Sequence, residues 1–103
     1  MARFPLFLVL TLALGALLPR PATADEDRCL DPEQRRAAIA GRQAVPLAKA
    51  IHTARAHVTG EVVNARLCEQ GQSLVYVLTV LGRDGKVSRA SVDGASGAFL
   101  RAR

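Results

Sequence analysis

The side chains best equipped for chemistry in this chain are two cysteines, Cys29 and Cys68, two histidines, His52 and His57, and a scatter of carboxylates. A cysteine can serve as nucleophile, metal ligand or half of a disulfide, and its neighbours decide which. Neither cysteine has a histidine or a second cysteine at ligand spacing, which makes a metal site the weakest of the three readings. An even count in an oxidising compartment favours a Cys29–Cys68 disulfide, with two free thiols as the alternative. The histidines, five residues apart on an expected helix, differ by about 140° in direction and cannot share a metal. Both read as lone side chains at the solvent edge. Asp84 and Asp93 each precede a glycine and read as turn residues. Tyr76, flanked by valines, reads as core. No nucleophile–base pair, no convergent carboxylates and no glycine-rich phosphate loop emerge, so the expectation is a protein that is not an enzyme and carries no cofactor or metal.

Where the chain works follows from its first residues. Arg3 gives a positive start, Phe4 to Leu18 is an apolar run broken only by Pro5, Thr11 and Gly15, and Ala22-Thr23-Ala24 is a small-x-small cleavage pattern. Residues 1–24 thus read as a secretory signal peptide cleaved after Ala24, placing the product in the periplasm or outside the cell. An uncleaved anchor is the competing reading, but the run falls short of the roughly twenty residues that span a bilayer. No stable membrane anchor is expected after cleavage. About eighty residues then remain, enough for one small domain. The net charge of +5 drops to about +3 when Arg3 and Arg20 leave, and the remaining basic residues are dispersed from Arg28 to Arg103. With aromatic residues at only 4%, the chain lacks the stacking groups of a nucleic-acid surface, and no nucleic-acid partner is expected.

Two helices and a run of strands must position whatever site there is. Residues 25–44 read as an N-terminal arm holding a short helix: Asp31 as N-cap, Pro32 at the first helical position, Gln34 closing a capping box, and Gly41 as the stop. A second helix starts at Pro46. Leu47, Ala50, Ile51, Ala54 and Val58 form its apolar stripe, while Lys49, Thr53 and Arg55 point away and the helix ends near His57. From Glu61 the period changes to two, with Val63, Ala65 and Leu67 facing inward. Glu69 to Gln72 turns the chain into its most apolar stretch after the N-terminus, Ser73 to Gly82, with Leu67 expected opposite Leu74. In the next hairpin a two-residue loop sends Ala90 and Val92 to the wrong face. A three-residue loop, Arg83-Asp84-Gly85 with Gly85 left-handed, pairs Leu78 with Ala90 and Tyr76 with Val92. After the turn Asp93 to Gly97, a short closing strand at Ala98 to Leu100 turns Phe99 inward. The fold class is α+β, a helix packed on a three- to four-stranded antiparallel meander with an extra N-terminal helix.

This parity leaves Val62, Val75, Val77, Thr79 and Leu81 on the face opposite the second helix, an apolar strip for a sheet open to water. A partner protein can dock there. Internal cover is the equal alternative, because Cys68 shares that parity and a bridge to Cys29 could draw the first helix across. A second class of function, a periplasmic sensor for a small ligand or ion, rests on Asn64, Arg66 and Arg89 as groups able to hold an anion.

The Leu74-Val75-Tyr76-Val77 run, the Asp84-Gly85-Lys86 turn and the ending Val92-Asp93-Gly94-Ala95-Ser96-Gly97-Ala98-Phe99-Leu100 resemble the PepSY domain. The matching stretch runs from about Val45 to Arg101 within an expected domain of residues 45–103. Val92, Asp93, Ser96, Gly97 and Phe99 fit the family's usual ending, and Tyr76 fits its central tyrosine. Pro46 in place of a Ser or Thr cap, and the arm with its cysteine, depart from the pattern. The whole is similar to small secreted single-domain PepSY proteins of Gram-negative bacteria. The resemblance implies a non-catalytic interaction module whose partner is an envelope protein such as a protease, which it inhibits or regulates.

Overall fold

The structure, a computed structural model, describes residues 28–103. The expected signal peptide, its cleavage point and Asp25 to Asp27 lie outside the described residues. In chain order the elements are α1 (Pro32–Ala40), α2 (Leu47–His57), β1 (Glu61–Gln70), β2 (Ser73–Leu81), β3 (Val87–Asp93) and β4 (Phe99–Ala102). The strands form one antiparallel meander in the order β1-β2-β3-β4. α2 lies on this sheet and touches all four strands. Among the described residues no helix is long and apolar enough to cross a membrane.

Local chemistry accounts for the helix ends. Asp31 accepts from the Gln34 N–H at 2.7 Å while the Gln34 side chain accepts from the Asp31 N–H at 2.9 Å, the reciprocal capping box expected. At the other end Gly41 is not the left-handed residue. Its φ is −84°, and the turn is made one position later by Arg42 at φ 61°. The Gln43 N–H reaches the Ala38 carbonyl and the Arg42 N–H reaches that of Ile39, the bond pattern of a Schellman motif with arginine in the glycine position. A left-handed side-chain residue costs about 1–2 kcal/mol, part of which a glycine returns through its freer unfolded chain. Arg42→Gly should therefore stabilise the domain by about 0.5–1 kcal/mol in urea unfolding, and Arg42→Val should destabilise it, because a branched Cβ fits that conformation worse.

The core face of the sheet is built on β2. Tyr76, Leu78 and Val80 are buried there with Leu67 of β1 and Ala90 and Val92 of β3, beneath Ala50 and Ala54 of α2. Leu47 and Val58 pack at the margin. The small alanines let α2 sit close. Thr53, expected to point away, is half-buried and donates its hydroxyl to the Gly97 carbonyl at 2.9 Å. That bond clamps the last turn under the helix. His57 is also engaged: its ring stacks on Phe99 with centroids 4.1 Å apart and planes 3° from parallel, and its Nδ1 lies 3.0 Å from the Thr53 carbonyl oxygen. Tyr76, wholly buried, donates its hydroxyl to the Val45 carbonyl, linking the central strand to the connection between the helices.

The hairpins resolve differently. Between β2 and β3, Leu78 faces Ala90 and Tyr76 faces Val92, with Arg83-Asp84-Gly85 as the loop and Gly85 at φ 86°, as the parity argument requires. Between β1 and β2, Leu67 faces Tyr76 rather than Leu74. The chain turns on two residues only, Gly71 at φ 63° and Gln72, so the ladder gains the pairs Glu69–Leu74 and Gln70–Ser73. A two-residue loop with its first residue left-handed follows the strand twist, and this outweighs a looser four-residue turn. The slip is by two residues, so Ala65 and Leu67 keep their face.

Candidate functional site

The second face of the sheet is defined by the other half of β2. Val75, Val77, Thr79 and Leu81 alternate with the core residues, and each collects neighbours by register. Cys68 and Asp93 flank Val75, Arg66 and Ser91 flank Val77, and Asn64 and Arg89 flank Thr79. On the outer side of β3, Arg101 lies opposite Ser91, and Arg103 exchanges both backbone hydrogen bonds with Arg89 at 2.8 and 2.9 Å. Residues directly opposite one another in adjacent strands project to the same side. The face is therefore a short apolar centre with arginines on both flanks.

The cysteines join in a disulfide. Cys29 forms an antiparallel bridge with Cys68, supported by Leu30 N–H to the Leu67 carbonyl and Glu69 N–H to the Arg28 carbonyl, each 2.8 Å. The N-terminal segment thus extends the free edge of β1. It does not carry α1 across the second face. Ala38 belongs to the same buried cluster as Tyr76 and Leu78, with Leu30 and Ile39 packed against it, so α1 and α2 share one side of the sheet. Among the described residues no helix covers the other side.

The expected strip is narrower than five residues. Val62 leaves it: a bulge between Val62 and Asn64 puts Val62 opposite Val80 on the core side, and leaves Val63, expected inward, 54% exposed. One extra residue inverts the parity of everything before it. Val75, 4% exposed, is buried beside Cys68, so the disulfide end of the face is closed. Val77 and Thr79 are half-buried and Leu81 is 40% exposed, and these three form the accessible centre. Asn64, Arg66 and Arg89, the expected anion-holding groups, all lie on this same face. Sequence reasoning missed Arg101 and Arg103. Plain alternation after an inward Phe99 sends Arg101 into the core, and that contradiction was the available signal for the bulge that turns it outward, with Leu100 as the extra residue.

Among the described residues two ionisable groups depart from their usual behaviour. Burial raises the Tyr76 pKa, with Arg35 acting weakly the other way. The Ser96 hydroxyl, and then its backbone N–H, donate to the Asp93 carboxylate at 2.7 and 2.8 Å and lower its pKa. Asp93 is thus held as a turn acceptor. Among the described residues no cluster of His, Cys, Asp and Glu could hold a metal.

The class these features define is an α+β domain with a one-sided helical layer and a second sheet face bordered by arginines. No protein-family model matches the chain, and neither a curated protein nor a solved structure does.

Proposed function

We infer that this is an exported, non-enzymatic protein-interaction module that docks a partner on the sheet face carrying Val77, Thr79 and Leu81. The observation that carries the reading is that both helices pack on the other side, which leaves this face without a helix among the described residues. The disulfide is consistent with an exported protein. The resemblance to PepSY domains supplies the partner class, an envelope protease that the module restrains.

Val77, central and half-buried, is the residue to test. A carboxylate at position 77 lies directly opposite Arg66, so a partner docking over it must desolvate an ion pair and lose that arginine, and Val77→Glu should weaken partner binding at least tenfold while the domain still folds. Activity of a thermolysin-like envelope protease titrated with the wild-type chain should fall, and Val77→Glu should shift that titration to higher concentration by the same factor. Identical titrations by wild type and a folded variant remove the face from the interaction. No effect of the wild type removes the protease.

A further inference from the structure

The arginines on the proposed docking face differ in one respect from ordinary surface charges. Arg89 and Arg103 are directly opposed, and Arg101 projects from the neighbouring row of the same two strands. Like charges in directly opposed positions destabilise a sheet. Arg66 lies on the far side of Val77, so the cationic groups border the apolar centre from both flanks. All four are exposed, and none is in an ion pair among the described residues. With strands about 4.8 Å apart, they are distributed over about 14 Å from β1 to β4. Acidic residues on this face are confined to its ends: Glu61 opposite Leu81, and Asp93, whose carboxylate is taken up by Ser96.

The geometry points to an extended, acidic segment of a partner protein as the occupant, its carboxylates taken by Arg66, Arg89, Arg101 and Arg103 and an aliphatic side chain resting on Val77 and Thr79. The inference rests on this face being the docking surface and adds the chemistry of what docks. Arginine is suited to the role because its planar fork pairs carboxylates through two hydrogen bonds. Arg66 and Arg101, about 14 Å apart across Val77 and Ser91, match two carboxylates four residues apart on an extended chain with an aliphatic residue between them, whereas one small anion would leave most of the arginines unpaired. Nucleic acid is the poorer match, because sheet surfaces that bind single strands stack bases on aromatic side chains and this face has none. A membrane surface is also poorer: the exposed apolar groups of this face, Leu81 and Val87, stand at one end beside the Glu61 carboxylate, which an anionic surface repels, while Val77 and Thr79 are half-buried between strands.

The test uses the full chain with its disulfide intact and a fluorescent peptide of about ten residues in which Asp and Val take turns at every second position with Ser between them, so that both project to one side of an extended chain, read by anisotropy. The Asp-Val peptide should bind, its affinity falling at least fivefold between about 20 and 200 mM salt. An Asn-Val peptide should not bind. Arg89→Gln/Arg101→Gln should weaken binding about tenfold, while its melting temperature stays level or rises because the repulsion with Arg103 is relieved. Equal binding by wild type and this variant overturns the proposal, as does equal binding of the Asn-Val peptide. So does a preference for phosphatidylglycerol vesicles, an oligonucleotide, a second copy of the chain or inorganic phosphate over the peptide. Val77→Glu separates the two levels. If it abolishes binding of the peptide or of the protease and the arginine variant does not, the docking face stands and its acidic specificity falls. If neither variant changes binding, both fall.

Discussion

Replacing Tyr76 with alanine should remove about 3–5 kcal/mol of stability, most of what a domain of this size possesses. Tyr76 is wholly buried at the middle of the central strand, packed in the cluster with Leu67, Leu78 and Val92. Truncation leaves a cavity under α2 and strips the Val45 carbonyl of its donor. Tyr76→Phe divides the effect, since it keeps the ring and removes only the hydroxyl. Leaving a part-buried carbonyl unpaired costs about 1 kcal/mol, so the phenylalanine variant should fall well short of the alanine one. Equal losses would place the stabilising role in the hydrogen bond rather than the ring. The same residue gives an alkaline limit. Its folded pKa is raised above the unfolded value of 10.0, so its contribution is fully present below pH 10 and is lost as pH rises through the folded value. The chain has one tyrosine and no tryptophan, so phenolate absorbance reports this residue alone. Its titration midpoint should lie above that of the urea-unfolded chain and coincide with alkaline loss of structure.

What the sequence shows of this fold depends on whether a signal survives one inserted residue. The capping box at Asp31, the apolar stripe of α2 and the loop through Gly85 are legible because each rests on short-range spacing that nothing distant can alter. Parity works for β2 and β3, where the pairing is unbroken. It fails at the two outer strands, where bulges after Val62 and after Phe99 shift the register. A bulge has no residue type of its own, and it shows in sequence only as a conflict, such as an arginine assigned inward. The candidate site suffers most, because its rim comes from those outer strands: Val62 is wrongly included, and Arg101 and Arg103 are overlooked. The side on which α1 packs was equally out of reach. Cys29 pairs at the edge of β1, where the chain can turn to either face, and Ala38 and Ile39 choose the core side only through contacts with residues far along the chain. Arg42 adds a further case, since the glycine that signals the helix stop stands one position before the residue that adopts the left-handed turn.

The double variant Cys29→Ala/Cys68→Ala should lose about 3–4 kcal/mol. The bridge closes a separation of 39 residues, and confining a loop of that length restricts the unfolded chain by about that amount. Two mechanisms can be told apart. If the bridge acts chiefly on the unfolded chain, the urea midpoint falls for the whole domain, and amide protection of β2 drops together with that of α1. If it acts chiefly as a local staple, it holds the Arg28–Leu30 segment to β1, assisted by the Leu30–Leu67 and Glu69–Arg28 backbone hydrogen bonds. Protection would then vanish over α1 while β2 keeps its own. The small apolar side of α1, with Ala38 as its one buried residue, gives the helix little independent hold on the core. Part of the loss should therefore be local, with α1 exchanging before the sheet. The two forms also differ at the proposed docking face. Without the disulfide beside it, Val75 becomes accessible and lengthens the apolar centre from Val77 toward the β1–β2 hairpin. Dye binding to exposed apolar surface should rise in the double variant under conditions where circular dichroism shows the sheet intact. No rise would mean that Val75 is covered by its strand neighbours rather than by the bridge.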